Sequence, residues 1–564
     1  MRSARGGIRS IFLLALVTAS STPDAFAVGE YDLVLRGGRV VDGTGNPWRF
    51  ADVAVKGDRI ALVGSVPEGA GRREIDVRGH IVAPGFIDIH SHSDFLLLED
   101  GGAESKVRQG VTTEVLGESS SAGPCEGKME PGAASVNGEK LTWTRLSGYF
   151  SALERGKVSV NVATYCGLGN VWRSVMGESF ARPSDAQLAE MKAVLERAMD
   201  DGAMGLSSLM AQAPDLMATT AEVSALALVA ARRGGIYSTH IRNEGDGVFE
   251  AIKEAIEIGE RARVTVDIIH LKIAEQKLWG RMKEVVALIE QARRRGVDIQ
   301  ANVYPYTRGN NDLASIVPPW AHEGGREKLL ERLRDTGLRE RLKQEILGGI
   351  PGWYNHYLAV GGEWSRMLLN ADMSAANKRY EGMTMDAVLA LRAQKPGRRD
   401  PLDELFDLLI EENGSVSTIY AHHTEDDMTL AMAQPWCSIG SDGLAYAVQG
   451  PLRRGKPHPR SFGTFPRALG VYVRERGILR LEDAVRKMTS LNASKIGIKD
   501  RGLLREGLFA DITVFDPEKV LDVATYLDPF QYPQGIPYVI VNGVLTIERG
   551  HHTAARAGRP LRRQ

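Results

Sequence analysis

Apolar and polar positions alternate in short pieces from Tyr31 to about Ala83, as YDLVLRGGRVVDG, ADVAVKGDRIALVG and IVAPG, divided by Gly, Asp and Lys-Gly-Asp turns. A period of two broken by such residues predicts strands joined as hairpins. The texture returns in LFADITVFDP and PYVIVNGVLTIERG, where Asn542-Gly543 suits a two-residue turn. The pieces at the two ends predict one small β-sandwich domain built from residues 28–84 and 499–564.

Between them the period changes. VSVNVATYCG precedes the helical pattern AQLAEMKAVLERAMDDG, GIYSTHIR precedes GVFEAIKEAIEIGERA, and VTVDIIHLK precedes KEVVALIEQARRRG. Repeated βα units of this kind predict a parallel sheet. Runs ending FIDIHSH, TTEVLGE, NVATYCG, GLSSL, YSTHIR, DIIHLK, ANVYPY and SIGSDG supply eight strands, the number that closes a TIM-like (β/α)8 barrel over residues 85–498. An open doubly wound sheet is the competing architecture, but the chain has neither G-x-G-x-x-G at its first helix nor a G-x-x-x-x-G-K-[ST] phosphate loop. Residues 307–418 exceed a simple βα connection and carry helical pieces of their own, so they are expected to form an insertion over the barrel mouth.

Composition narrows the function classes. With 564 residues, 43% apolar and 25% charged, the chain is long enough for a barrel-sized domain plus an attachment. A formal net charge of −1 offers no basic field for nucleic acid. Cys125, Cys166 and Cys437 are too few and too scattered for a disulfide framework or a C-x-x-C site. Residues 1–27 read as a secretory signal: Arg2, Arg5 and Arg9 precede the apolar run Ile11 to Ala19, and Ala25-Phe26-Ala27 ends the segment. The run is too short to span a bilayer, so the mature chain is expected in the periplasm or outside the cell, free of the membrane. No pattern in the chain specifies an oligomeric state.

The histidines carry the chemistry. Four of twelve fall at strand ends, as His90-Ser91-His92, His240 and His270. Side chains alternate along a strand, so His90 and His92 share a side and can share an ion; imidazole nitrogen suits Zn²⁺. A divalent ion also calls for anionic ligands, for which Asp442 in Ser441-Asp442-Gly443 is the first candidate and Glu118, ending TTEVLGE, the second. Asp442 also suits a turn or a helix cap, and an isolated strand-end histidine also suits a hydrogen-bonded core.

The ordered set V-x-P-G-F-I-D-x-H-x-H, G-V-T-T, HIRNE, HLK, VYPYT and IGSDG resembles the amidohydrolase superfamily and, within it, the D-aminoacylases, over nearly the whole mature chain. The resemblance implies that His90, His92 and Asp442 hold one metal and His240 and His270 another, giving one or two Zn²⁺ per chain. Two departures stand out. The fourth strand, GLSSL, lacks the lysine with which many superfamily members bridge their metals, and Ser119 replaces the cysteine that D-aminoacylases usually offer after G-V-T-T. Glu118 is therefore the expected bridging ligand, with Cys125 as a substitute on the same loop. A further departure is Gly167-Leu168-Gly169, where relatives often carry a histidine after the first glycine.

The implied reaction is hydrolysis of the amide of an N-acyl-D-amino acid, with Asp442 as the catalytic proton carrier. Lys272, Tyr304 and Arg453 resemble the family's carboxylate-binding positions; an internal salt bridge for Lys272 and a solvated charge for Arg453 are the alternatives. Arg242 is expected to pair with Glu244, His422 and His423 to serve a cap or rim, and His356 to belong to a lid or to an aromatic cluster. A dipeptidase or cyclic amidase on the same centre, and a non-catalytic binding protein, are the competing functions.

Overall fold

The computed structural model describes residues 29–371, 373–394 and 400–563. The leader expectation, residues 1–27, lies outside them. Eight parallel strands follow the eight sequence runs: β1 (Phe86–Asp88), β2 (Val111–Leu116), β3 (Asn161–Thr164, resuming as Cys166–Gly167), β4 (Gly205–Leu209), β5 (Ile236–His240), β6 (Val266–Ile268), β7 (Ile299–Val303) and β8 (Cys437–Ile439). Each pairs with the next in order, and a parallel Ser91–Gly443 bridge returns β8 to β1. The ring places every strand's C-terminal end at one mouth, where such folds assemble their chemistry.

Amphipathic helices cover the outside. Asp185–Asp200 and Thr220–Arg232 both start with a capping box, Ser184 with Gln187 and Thr219 with Glu222, which satisfies backbone N–H groups that a helix start leaves orphaned. Val248–Ala262 buries Ala251, Ile252, Ala255, Ile256 and Ile258 against the barrel. Burying each isoleucine stabilises by about 1.5–3 kcal/mol, and each alanine by about 0.8 kcal/mol, before entropy is counted. That sum holds the ring shut without disulfides, and all three cysteines are free and buried.

The termini meet as the sequence pattern predicts. Strands Leu33–Val40, Arg49–Lys56, Arg59–Gly64, Glu74–Asp76 and Ile81–Pro84 join Ile512–Phe515, Tyr538–Val541, Val544–Glu548 and His551–His552 in one nine-stranded sheet. Leu35 and Val53 from one end and Ile512, Val514 and Ile540 from the other share an apolar cluster.

The long insertion leaves the barrel after β7. It forms a four-stranded sheet of Gly309–Asp312, Ser417–Tyr420, Met367–Ala371 and Met383–Thr384, with helices such as Gly325–Arg334 and Pro401–Glu411 packed around it. Its apolar cluster, from Leu313 to Tyr420, is drawn entirely from its own residues.

Candidate metal centre

The six sequence-predicted ligands converge at the barrel mouth. His90 and Glu118 lie two residues past β1 and β2, His240 ends β5, His270 lies two past β6, and Asp442 three past β8. Glu118 Oε2 sits 2.7 Å from His90 Nε2 and 3.3 Å from His92 Nε2, and Glu118 Oε1 is 3.5 Å from His240 Nδ1. Its carboxylate thus stands between the two histidine pairs. Asp442 Oδ1 lies 2.9 Å from His92 Nε2 and 3.8 Å from His90 Nε2, with Oδ2 3.9 Å from His270 Nε2. His92, with 34% of its side chain exposed against 4–9% for its neighbours, marks the side on which the cluster opens.

Local backbone explains how the side chains are aimed. Ser119, His270 and Asp442 have φ of 53°, 38° and 52°, left-handed values that L residues hold only when the surroundings enforce them. A Cβ on Gly167 would stand 1.9 Å from the Ser119 carbonyl oxygen, so the missing side chain there lets the Glu118 loop pass.

Two functional residues escape the sequence reading. The expected Arg242–Glu244 pair does not form: Arg242 binds Glu254 at 2.8 Å and the carbonyls of Leu216 and Ala218. Glu244 turns inward instead, its Oε1 2.5 Å from Lys272 Nζ and 3.1 Å from His270 Nδ1, its Oε2 3.4 Å from His240 Nε2. The second residue is Arg460, 4% exposed, whose Nη1 donates to Asp442 Oδ2 at 2.6 Å. Arg453 does not join the cluster; its exposed guanidinium stacks 4.6 Å from the Phe530 ring and donates to the Val448 carbonyl. One signal distinguishes them: Arg460 opens a helix, Arg460–Arg467, just after Pro457-His458-Pro459, whereas Arg453 lies in the loop GPLRRG.

The remaining assignments divide. Lys272 is at the centre but engaged by Glu244 and His270 Nδ1, the internal ion pair named as its alternative. Tyr304 lines the site, its ring 6.1 Å from His270 and 4.8 Å from the Arg460 guanidinium, and its buried hydroxyl has no hydrogen-bond partner. Cys125 is buried with its thiol toward the Ala122 carbonyl and joins neither ligand group. His356 sits between Tyr354 and Tyr420, and His422 contacts His423; these rings roof the site rather than cap a helix. That cap is Thr424.

The electrostatics suit a cation. Burial alone would raise the Glu118, Glu244 and Asp442 pKa values, yet the facing imidazoles, Lys272 and Arg460 hold all three well below the carboxylate range. His270 is pushed down to about 4 by burial and Lys272, leaving a neutral imidazole with a lone pair to share. Burial would lower His240 as well, but Glu244 and Glu118 lift it to about 9. Glu118 Oε1 and His240 Nε2, meanwhile, are buried without a hydrogen-bond partner. Ligand atoms of His90, Glu118, His270 and Asp442 lie within 4.8 Å of one another, as do those of His240, Glu244 and His270. Nitrogen and carboxylate donors in this number fit one or two divalent ions.

Comparison with known proteins agrees. A model of the amidohydrolase family matches residues 73–392 and 421–547. Two proteins of Alcaligenes xylosoxydans xylosoxydans are each 34% identical: an N-acyl-D-glutamate deacylase over 95% of this chain and 97% of its own, and a D-aminoacylase over 94% and 98%. The crystal structure of N-acyl-D-glutamate deacylase from Bordetella bronchiseptica, complexed with zinc and a phosphonate mimic of the tetrahedral intermediate, superposes with a TM-score of 0.78 at 32% identity, covering 94% of this chain and all of that one. A D-aminoacylase structure described for its binuclear metal centre superposes at 0.77 and 32% identity, covering 95% and 100%. The chain belongs to the amidohydrolase family and, within it, to the group of the N-acyl-D-amino-acid deacylases.

Proposed function

We propose that this chain is a zinc-dependent deacylase that hydrolyses the amide bond of N-acyl-D-amino acids, releasing a carboxylate and the free D-amino acid. The observation that carries the reading is Asp442: it touches His92 on one side and the buried Arg460 on the other, and its carboxylate groups with His90, Glu118 and His270. His90, His92 and Asp442 would hold one ion, His240 and His270 the other, with Glu118 between them. A divalent cation held there supplies Lewis acidity and a water acidified toward neutrality.

The chain's own residues do the rest. Asp442, kept ionised by Arg460, accepts a proton from the attacking water and returns it to the amide nitrogen, which must be protonated to leave. Arg460 and Lys272 are the cations nearest the centre and draw the substrate carboxylate, and the unsatisfied Tyr304 hydroxyl is available to donate to it. The signal-like residues 1–27 support export to the periplasm or beyond, checked by the N-terminal sequence of the secreted protein.

The deciding experiment measures zinc per chain together with kcat/KM on N-acetyl-D- and N-acetyl-L-amino acids, dipeptides and hydantoins. The reading requires stoichiometric metal and turnover of the D series; turnover confined to L substrates or cyclic amides refutes it.

A further inference from the structure

Beneath the centre lies the seam where the barrel closes. β1 and β8 share no regular ladder. At the mouth, Asp442 N donates to the His90 carbonyl at 2.8 Å and His92 N to the Gly443 carbonyl at 3.0 Å. Deeper in the barrel the Asn492 amide spans the strands, donating to the Ile87 and Ile439 carbonyls at 2.8 and 3.0 Å. Between these levels enters Lys106, wholly buried, from the short helix Glu104–Val107.

Its ammonium lies 2.7 Å from Asp88 Oδ2, 2.7 Å from Ser441 Oγ, 3.0 Å from Ser91 Oγ and 3.1 Å from the Gly443 carbonyl. Ser91 stands between His90 and His92, and Ser441 and Gly443 flank Asp442. One charge therefore grips the immediate chain neighbours of three candidate ligands.

The surrounding groups lock the grip. Asp88 Oδ1 accepts from Ser441 N at 2.8 Å; Glu114 Oε2 takes the Ser91 and Ser93 hydroxyls at 2.5 and 2.6 Å; Ser93 Oγ accepts from Ala445 N at 2.8 Å. Asp442, with its left-handed backbone, is thus anchored at the residue before it and the residue after it. A compact ammonium with three rotatable donors meets four converging acceptors, a geometry that a planar guanidinium does not match.

We propose that Lys106 is a positioning residue of the metal centre: it fixes the His90-Ser91-His92 arm against the Ser441-Asp442-Gly443 loop, and so sets both the affinity for the ion and the aim of Asp442. The metal and activity readouts rest on the function proposed above. Lys106→Met strands Asp88 and Glu114, the latter with its Oε2 3.6 Å from the ammonium, without their cation and can unfold the chain. It is therefore compared with Lys106→Met/Asp88→Asn, which restores the local charge balance, and with Ser441→Ala, which removes one acceptor of the ammonium together with that hydroxyl's bonds to Asp88 and to Gly443 N.

Thermal unfolding reports folding, competition with a chromophoric chelator reports zinc affinity, and kcat and KM are taken at saturating zinc. The double variant and Ser441→Ala are expected to stay folded and to bind zinc about 10- to 100-fold more weakly. Once loaded, they should keep KM within about twofold while kcat falls about tenfold or more. Folded variants with natural zinc affinity and natural kcat overturn the proposal. If the double variant does not fold, Ser441→Ala decides by the same two readouts. A natural chain that binds zinc but cleaves no N-acyl-D-amino acid sinks the function reading, and the affinity comparison still decides the role of Lys106.

Discussion

His90, His92, His240 and His270 each face a carboxylate oxygen at 2.7 to 3.4 Å, whereas His356, His422 and His423 face an amide, a carbonyl and one another. Burial acts on both groups, but carboxylates touch the first directly, whereas Glu244 acts on the second only from a distance. In the second, burial wins: it pushes His356 and His423 down to about 3, with the nearby Lys272 adding to it at His423, and takes His422 well below its usual value. One side chain type therefore builds a cation trap on the floor of the site and a neutral wall on its roof. Contact with carboxylates separates the two, although burial and Lys272 hold His270, too, down to about 4.

The comparison breaks most sharply at the floor. Asp442→Asn keeps the shape but cannot carry a proton, so kcat is expected to fall about 10²- to 10⁴-fold with the fold intact by circular dichroism; near-natural turnover would remove Asp442 from the mechanism. Exhaustive chelation should abolish activity and added zinc restore it, while the roof variant His356→Leu should retain its full metal content by elemental analysis. Next come the two arginines. Arg460→Met, which strips Asp442 of its buried partner, should lower kcat/KM about 10²-fold, whereas Arg453→Ala should change it by no more than about twofold. Equal effects of the two would mean that the exposed arginine reaches the substrate.

The smallest effect is one of pH on the roof. His356 and His423 have folded pKa values far below the unfolded 6.5, so the native state refuses protons that the unfolded chain accepts. Their cost to folding is absent above pH 6.5 and grows as the pH falls toward 3. An acid-tolerant protease should cut within residues 309–420 at pH 4 and leave them intact at pH 7; equal resistance at both would show that these histidines protonate within the fold.

Much of this was legible in the chain because strand-end positions follow from local pattern. The alternation of FIDIHSH, YSTHIR and DIIHLK places His90, His240 and His270 at one mouth once eight parallel strands are granted. Glu244 and Arg460 were not legible, for a physical reason: Glu244 lies on a loop and Arg460 opens a helix that a loop delivers to the mouth, and no period governs a loop. Glu244 sits four residues past His240 across an irregular turn, so the nearer Arg242 looked like its partner. Arg453 and Arg460 are seven residues apart in one connection, and only the helix that begins at Arg460 directs it inward. His422 and His423 read as rim or cap residues, and His356 as part of a lid or an aromatic cluster, because the long insertion that buries them shows no pattern of where it docks.

The apolar interior of that insertion has a wider consequence. Its cluster, Leu313 to Tyr420, borrows nothing from the barrel's own hydrophobic interior. Hydrolytic machinery and ceiling thus rest on largely separate interiors, joined by a small seam in which Ala211 and Ala274 of the barrel pack with Tyr354 and Ala359 of the insertion. A lineage can retune which acylated compounds it admits by remodelling the ceiling alone, and an engineer can graft a different one onto the same reactive floor.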